Sequence, residues 1–422
     1  MTTISATLES RFRAPLGAEQ IRIATSAEAI LGVQPQLVLE PYTELQLADA
    51  LRLANEASLV VIPRGGGTKL GWGNPPSRAD IILSTARLNS VIEHAWADLT
   101  VTVEAGCTVQ TLQETLAHHG QRLALDPLWP EKATVGGILS TNDSGALRLR
   151  FGALRDLIIG VTIALPDGTL ASSGGKVVKN VAGYDLPKLV TGALGTLGVI
   201  TRAVFRLHPL PLNTRSFTIS VGSPDEAQNM VLAIQDSKLA HVALQSHFSA
   251  ESSLAIDILF EGTEAGLIAQ ASHLRSLCRS TQISEASPTV WKARQELCFL
   301  SNPEETAIAK ISTLPADLAR TIELIRRAAD PSHLVWKSLM YATGLGWLRL
   351  EGPANQLQQA LTRLRSEFEK TSGSFVVLHR PATLPSFEAW GTAGDSLALM
   401  KSIKRQLDPA CTLNPNRFLG GI

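Results

Sequence analysis

The chain has 422 residues, more than one hydrophobic core normally serves, so two domains are expected. Apolar residues make up 45% and charged residues 18% of the sequence, which is ordinary for a globular protein. Basic and acidic residues both number 38, so the formal net charge is zero. This balance gives no support for nucleic-acid binding or for electrostatic attachment to a membrane. Any anionic ligand must therefore be met by local groups.

The cysteines are widely spaced, without a C-x-x-C pair and without histidines at metal-ligand spacing; they are Cys107, Cys278, Cys298 and Cys411. This pattern predicts neither an iron–sulfur cluster nor any other metal site in the chain. No secretory leader pattern is found, and no segment has the roughly 20 apolar residues of a membrane span. We therefore expect a cytoplasmic protein without a direct membrane span.

The first half of the chain predicts short helices and strands separated by glycine-rich turns. In chain order these are a helix over 43–57, a strand over 59–62, strands over 81–83 and 100–104, a helix over 108–119, a helix start over 133–138, a hairpin over 157–172 and a strand over 198–207. Thr43 and Gln46 are placed to cap the first helix. The small residues at 133–138 could present free N–H groups at a helix start.

The prolines Pro209 and Pro211 mark a domain boundary, after which the pattern changes. Strands are predicted near 217–221, 242–247, 254–260, 307–312, 334–341 and 346–350, with helices near 225–235, 264–277, 316–327 and 356–369. This mixture fits an α+β domain with helices on one face of an antiparallel sheet. Its two rounds could be a duplicated unit, although no repeated sequence motif marks them.

The glycine-rich turns do not fit two common nucleotide-binding devices. A P-loop requires Ser or Thr after Gly-Lys, whereas Gly175-Lys176 is followed by Val177. A Rossmann fingerprint must lead into a helix, whereas the glycines spaced over 192–198 lead into a strand. The remaining device is a nest of backbone N–H groups at 65–68 that binds a pyrophosphate. Lys69 or Arg64 could then neutralise its charge.

Several motifs together resemble the flavoproteins of the vanillyl-alcohol oxidase and p-cresol methylhydroxylase (PCMH) type. They are the loop Pro63–Gly71, the turn Ala133–Gly137, Phe151–Asp156, the hairpin at Pro166–Gly168 and Gly195–Thr201, with Leu407–Pro409 and Leu413–Pro415 near the end. Within this superfamily, Lys179–Leu186 is similar to the FAD-binding subunit of bacterial glycolate oxidase. The resemblance covers roughly residues 40–210 and the tail, whereas the middle of the chain matches mainly by position.

The resemblance implies an α+β fold with a two-lobed PCMH-type FAD-binding domain and an α+β cap domain. The expected boundaries are an N-terminal segment over 1–35, the FAD-binding domain over 36–211, the cap over 212–392, and a C-terminal segment over 393–422 that returns to the FAD-binding domain. The implied cofactor-binding residues are Pro63, Arg64, Gly65, Gly66, Gly67, Thr68, Lys69, Leu70, Pro130, Thr134, Gly136, Gly137, Ser140, Gly198, Val199 and Ile200. Thr68 and Lys69 stand in the loop where many family members attach flavin through a histidine, so the FAD is expected to be noncovalent.

Oxidation of a 2-hydroxy acid needs a base for the hydroxyl proton and a cation for the carboxylate. The histidine-rich metal motif of related D-2-hydroxy-acid dehydrogenases is not present, and the catalytic residues are not identified. His379 and Arg380 are the candidates of interest, whereas His241 and His247, which share a face of one strand, read as ordinary residues. Lys176, Lys179, Lys188 and Arg155 could stabilise reduced flavin or form structural ion pairs.

These features predict the FAD-binding subunit of a glycolate oxidase-like complex that oxidises a small 2-hydroxy acid such as glycolate or D-lactate. The expected partners are a second FAD-containing subunit, which could carry the substrate site, and an iron–sulfur subunit that receives the electrons. The complex could be held at the inner membrane through these partners. Two alternatives stay open: an autonomous FAD-dependent 2-hydroxy-acid or alcohol dehydrogenase, and a non-catalytic FAD-binding assembly subunit.

Overall fold

The computed structural model describes residues 9–175, 184–251, 254–279, 281–371, 373–384 and 387–422. The chain divides into two units, the first drawn from Met1–Gly145, Gly152–Leu210 and Ala393–Ile422, and the second from Ala146–Phe151 and Pro211–Thr392. The second unit thus takes six residues from inside the span expected for the FAD-binding domain. Within the described ranges, no helix combines the length and apolarity needed to cross a bilayer.

The first lobe of the first unit is a four-stranded sheet packed with the helix Glu44–Glu56. Its strands are β1 (Ile21–Ile23), β2 (Leu37–Leu39), β3 (Val61–Arg64) and β4 (Ile81–Ser84), in the order β1-β2-β4-β3. The helix begins where Thr43 accepts a hydrogen bond from the Gln46 amide at 3.1 Å. The Gln46 side chain in turn accepts from the amide of Tyr42, one residue before the cap, so this is a variant of the predicted capping box.

Strand β3 begins two residues later than the sequence predicts and includes Pro63 and Arg64. The cause is local, because the Val60 amide donates to the Asp80 carboxylate at 2.7 Å instead of to a strand. Pairing with β4 then runs from Val61 to Arg64 in parallel register. The strand therefore delivers its glycine loop directly from Arg64.

The second lobe is a five-stranded antiparallel sheet with a small two-stranded sheet beside it. Its strands are β5 (Val91–Ala95), β6 (Thr100–Glu104), β7 (Gln121–Arg122), β8 (Ile158–Ala164), β9 (Leu170–Gly174), β10 (Val199–Arg206) and β11 (His208–Pro209). The main order is β5-β6-β10-β8-β9, and β7 pairs with β11. The helices are Val109–Ala117, Val135–Thr141, Leu154–Leu157 and Leu186–Val190, and the first of these ends before Gly120, which has φ +64°.

The C-terminal segment Ala393–Ile422 belongs to the first unit. After the helix Leu397–Leu407, the amide of Val61 donates to Thr412 O at 2.8 Å and the amide of Asn414 donates to Val61 O at 3.1 Å. These bonds add the tail to the edge of β3. Residues after 411 are thereby placed beside the glycine loop.

The second unit is an eight-stranded antiparallel sheet with four long helices. Its strands are β12 (Asn213–Ser220), β13 (His241–Ser249), β14 (Ala255–Gly262), β15 (Ile283–Glu285), β16 (Thr306–Ser312), β17 (Val335–Tyr341), β18 (Leu345–Glu351) and β19 (Ser374–His379). The long helices are Pro224–Asp236, Glu264–Leu277, Leu318–Ala329 and Ala354–Lys370; Arg148–Phe151 and Ala293–Leu297 are short. Buried side chains of the long helices and of the sheet form one core.

The two rounds of the second unit have the same topology. Each runs strand, helix, strand, strand, helix, strand, and the sheet order is β15-β12-β14-β13-β17-β18-β16-β19. The sheet can be followed outward from the central β13–β17 pair. One half then runs β13, β14, β12, β15 and the other runs β17, β18, β16, β19, so each half places the second, third, first and fourth strands of its round in that order. The suspected duplication is therefore present in the topology, without a repeated sequence motif.

Candidate functional site

The first unit contains a cavity at the ends of β3 and β10. Its lining consists of Pro63, Arg64, Gly65, Gly66, Gly67, Thr68, Lys69, Leu70, Thr85, Thr134, Gly136, Gly137, Ser140, Thr141, Leu194, Gly195, Gly198, Val199, Ile200, Asn414 and Arg417. Every residue predicted for cofactor binding lies here except Pro130, whose carbonyl accepts a hydrogen bond from Gln110 at 2.9 Å. Segments far apart in the sequence thus surround one cavity, although the contacts of each residue with FAD stay a prediction.

The loop after β3 exposes backbone donors to this cavity. Among the described residues, the amides of Gly65, Gly66, Gly67 and Thr68 have no protein hydrogen-bond acceptor. Gly67 adopts φ +73°, a conformation that favours glycine. Consecutive donors in such a loop suit a phosphate anion, and each charge-assisted hydrogen bond contributes about 1.5–3 kcal/mol. The loop therefore fits the pyrophosphate of a dinucleotide.

Two of these glycines are also required by the packing of the protein itself. A Cβ atom on Gly65 would lie 2.0 Å from Thr134 Oγ1, and one on Gly66 would lie 1.8 Å from the carbonyl oxygen of Lys132. Any side chain would push the loop away from the 132–134 turn. The glycines thus set the position of the loop, whereas the sequence suggested only close approach of a ligand.

Both cations proposed to neutralise the phosphates already have carboxylate partners. Lys69 Nζ lies 3.1 Å from Asp143 Oδ2 in a buried pair, and Arg64 Nη1 lies 2.8 Å from Glu28 Oε1. Hydrogen bonds from Arg22 and then Arg64 hold the pKa of Glu28 well below its ordinary value. These pairs leave the loop amides as the principal groups that meet an anion here.

The helix Val135–Thr141 does not present free amides, so that prediction is wrong. Val135 N donates to Cys107 O at 2.9 Å, Gly136 N to Ala105 O at 2.7 Å, and Gly137 N to Thr134 Oγ1 at 3.3 Å. The turn that follows β6 supplies the two carbonyl acceptors, and the capping Thr134 hydroxyl supplies the third acceptor. This helix start therefore lines the cavity by shape and not as an anion-binding terminus.

The C-terminal segment contributes two side chains that sequence reasoning did not assign. Arg417 is buried and donates from Nη2 to Leu70 O at 2.7 Å and Trp72 O at 2.8 Å. Burial lowers its pKa to about 10, so it is still charged at neutral pH and would be stabilised by an anion in the cavity. The closing motif identified this segment, but its contact with a loop 345–347 positions earlier in the sequence arises only in the tertiary structure.

Asn414 supplies a further polar group in the lining. Its Nδ2 donates to Leu194 O at 2.5 Å, while its buried Oδ1 has no hydrogen-bond partner in the part of the chain that the structure describes. A buried acceptor without a donor costs about 1–3 kcal/mol. An N–H group of a ligand, such as that of a flavin ring, would satisfy it.

The other cations suggested for the flavin site are only partly described. Lys176, Lys179 and most of the Lys179–Leu186 run lie outside the described residues. Lys188 pairs with Asp185 at 2.8 Å, and its hydrogen bond lowers the Asp185 pKa. Arg155 lines a separate apolar pocket of the first unit. The structure thus favours a local structural role for Lys188.

The catalytic candidates His379 and Arg380 lie in the second unit and hold chain segments together. His379 Nε2 is 3.0 Å from Pro303 O, and Arg380 Nε donates to Leu384 O at 3.2 Å. Burial lowers the pKa of both groups. Neither the base nor the carboxylate cation is supported by these contacts, and both roles stay predictions.

Comparison with known proteins indicates the same kind of ligand as the cavity and its backbone donors. Residues 35–174 match the model of a family described as an FAD binding domain. The chain is 24% identical to glycolate oxidase subunit GlcD of Bacillus subtilis over 91% of this chain and 89% of that protein. It is 35% identical to D-lactate dehydrogenase of Archaeoglobus fulgidus over 47% of this chain and 44% of that protein.

The fold is also that of a solved structure, p-cresol methylhydroxylase. A structure of p-cresol methylhydroxylase with substrate bound superposes with a TM-score of 0.81 at 15% identity, over 98% of this chain and 97% of that one. The family match indicates FAD as the cofactor. The two-lobed first unit and the unsatisfied loop amides are consistent with it. The chain is therefore an FAD-dependent oxidoreductase with an FAD-binding domain over residues 35–174, and its fold is that of p-cresol methylhydroxylase.

Proposed function

We propose that the chain is the FAD-binding subunit of a glycolate oxidase-like complex that oxidises a small 2-hydroxy acid to the 2-oxo acid. The observation that supports this most is the similarity to glycolate oxidase subunit GlcD across nearly the whole chain. A cavity suited to a flavin dinucleotide is consistent with it. When bound, FAD supplies a two-electron acceptor for the hydride from the substrate carbon.

The proposed partners are a second FAD-containing subunit and an iron–sulfur subunit. The chain has four well-separated cysteines, so an iron–sulfur acceptor would have to be supplied by another chain. The complex would lie in the cytoplasm and could be attached to the inner membrane through these partners. The autonomous dehydrogenase and the non-catalytic assembly subunit are the alternatives that an experiment must separate from this proposal.

We expect glycolate or D-lactate, added anaerobically to the purified complex, to bleach its flavin absorbance and then to reduce the iron–sulfur centre. Stopped-flow absorbance and electron paramagnetic resonance measure the two events. Sustained turnover of the isolated chain with a soluble acceptor would instead support an autonomous dehydrogenase. Flavin of this chain that stays oxidised throughout turnover of the complex would support an assembly role.

The FAD is expected to be noncovalent. The cavity lining in the described chain contains no histidine, cysteine or tyrosine, the residue types suited to a flavin bond, and Thr68 and Lys69 occupy the loop position. Acid precipitation should therefore release the yellow flavin into the supernatant. Flavin retained in the washed pellet would contradict this prediction.

A further inference from the structure

The second unit contains a cleft on the face of its sheet opposite the long helices. The cleft has a volume of about 500 Å³, within the range of small-molecule sites. Strands β13, β17 and β18 form its floor, and the 293–301 segment forms a wall. Phe299 and Val335 line it with exposed apolar side chains, so the cleft offers both polar and apolar contacts.

His247, which lines this cleft, belongs to an imidazole–carboxylate pair. His247 Nε2 makes a short hydrogen bond with Asp257 Oδ2. Asp257 is 2% exposed and also accepts from Thr218 Oγ1 at 2.6 Å and Gln245 Nε2 at 3.1 Å. Although burial opposes its ionisation, these bonds hold the pKa of Asp257 below its ordinary value. The pair is thus a charged carboxylate holding an imidazole in place.

The bonds of the pair define which imidazole nitrogen is left to accept a hydrogen bond. Because the ionised Asp257 carboxylate can only accept, Nε2 of His247 is the donor in this pair, and the amide hydrogens of Gln245 go to Asp257 and to Val290 O at 2.9 Å. Nδ1 then carries the lone pair. It has no hydrogen-bond partner among the described residues and is not fully buried, and His247 lines the cleft.

A lysine lies diagonally across the sheet from this imidazole. In the β13–β17 ladder, Ser249 is opposite Lys337 and His247 is opposite Leu339. Such diagonal neighbours are about 7–8 Å apart at the backbone, within reach of a lysine side chain. Lys337 lines the cleft, and no described carboxylate forms an ion pair with it.

The other charged residues of the cleft have different roles. Arg349 is paired with Glu351 at 2.5 Å and donates to Leu297 O and Phe299 O, so it holds the wall in place. Glu251 and Glu296 are exposed at the rim. These carboxylates would repel a ligand with a second negative charge.

We propose that this cleft binds a small monocarboxylic 2-hydroxy acid, whose carboxylate pairs with Lys337 and whose hydroxyl donates a hydrogen bond to His247 Nδ1. Asp257 is a positioning residue that fixes the imidazole. The inference rests on the proposed function for its ligand class, and it concerns binding only. The rim glutamates select against dicarboxylates.

The test uses 2-hydroxyisobutyrate, which has the hydroxyl and carboxylate but no hydrogen on C2 and therefore cannot be oxidised. Isothermal titration of the purified full chain with its FAD measures the affinity. We expect His247→Gln and Lys337→Gln each to weaken binding at least about tenfold, the loss expected for one charged hydrogen bond. His273→Gln and Lys238→Gln, at exposed positions, are the matched controls and should bind like the parent chain.

Isobutyrate, which lacks the hydroxyl, separates a binding role from a structural one. His247→Gln should not change isobutyrate affinity, whereas Lys337→Gln should weaken it as well. We also expect 2-methylmalate, a non-oxidisable dicarboxylate, to bind more weakly than 2-hydroxyisobutyrate. The proposal would be overturned if His247→Gln lost affinity equally for 2-hydroxyisobutyrate and isobutyrate. It would also be overturned if the parent chain bound 2-methylmalate more tightly than 2-hydroxyisobutyrate.

The outcomes for the cleft and for the proposed function are distinguishable. If the variants weaken 2-hydroxyisobutyrate binding but no 2-hydroxy acid reduces the flavin of the complex, the cleft assignment stands and the proposed function fails. If 2-hydroxy acids reduce the flavin normally while both variants bind the analogue like the parent chain, the cleft assignment fails and the proposed function stands.

Discussion

The Gly66→Ala variant is expected to lose its bound FAD. The added Cβ would lie 1.8 Å from the Lys132 carbonyl oxygen, closer than van der Waals contact allows. Backbone on both sides must shift, and the donors at 65–68 then no longer meet the pyrophosphate together. Loss of even one or two charge-assisted hydrogen bonds of about 1.5–3 kcal/mol predicts roughly a hundredfold weaker binding. Flavin content per chain after purification, followed by titration of the apoprotein, measures the effect.

Gly71→Ala is the matched control for this variant. A Cβ atom on Gly71 has no heavy atom within 4 Å, and Gly71 is not among the glycines with positive φ. It should therefore retain FAD like the parent chain. Far-UV circular dichroism checks that Gly66→Ala is folded. A folded Gly66→Ala protein with full flavin content would show that the glycine loop does not hold the cofactor.

The Lys404→Met variant is expected to destabilise the first unit by about 3–5 kcal/mol. Lys404 Nζ is buried and donates to Thr196 O at 2.7 Å, Asp408 Oδ2 at 2.5 Å and Leu413 O at 2.9 Å. Without the ammonium, the fully buried Asp408 carboxylate has no compensating charge, which is the costly case for a buried pair. The temperature at which flavin fluorescence appears should fall by about 10 °C.

This substitution also tests how the C-terminal segment reaches the cavity. Asp408 accepts hydrogen bonds from the amides of Thr412 and Leu413, the residues directly before Asn414. Weaker FAD binding should therefore accompany the loss of stability, because Asn414 and Arg417 line the cavity. Lys401→Met, exposed on the same helix, should change the free energy of unfolding by less than about 0.5 kcal/mol. Equal melting temperatures of Lys404→Met and Lys401→Met would contradict the stabilising role of the Lys404–Asp408 pair.

Much of the cavity could be predicted because its parts are local. Glycine content predicts the turn at Gly65–Thr68, and glycine content with a capping threonine predicts the turn at Thr134–Gly137. Both signals act within a few residues. The long helices of the second unit follow from apolar periodicity in the same way. In contrast, the short outer strands β15 and β19 carry little periodic signal and were not predicted. The sequence also did not predict that Ala146–Phe151 belongs to the second unit.

The roles of charged residues depended on tertiary structure. Lys69 and Arg64 are adjacent to the glycine loop in sequence, yet Asp143 and Glu28, from other segments, pair with them. His247 could be placed on a strand face by its spacing, but its partner Asp257 follows from the register of β13 against β14. A charge is satisfied by whatever the fold brings within about 4 Å, and that distance is not encoded locally.

By itself, the sequence determined the two-part organisation and the loops around the cavity, because glycine turns, caps and apolar periodicity are short-range properties. The cofactor class was implied by the resemblance of these motifs to known flavoproteins. The tertiary structure decided which side chains are available for chemistry. It paired the loop cations, engaged His379 Nε2 and Arg380 Nε in hydrogen bonds, brought Asn414 and Arg417 to the cavity, and left His247 and Lys337 facing a cleft. These outcomes depend on strand register and long-range burial, which arise only when distant segments pack together.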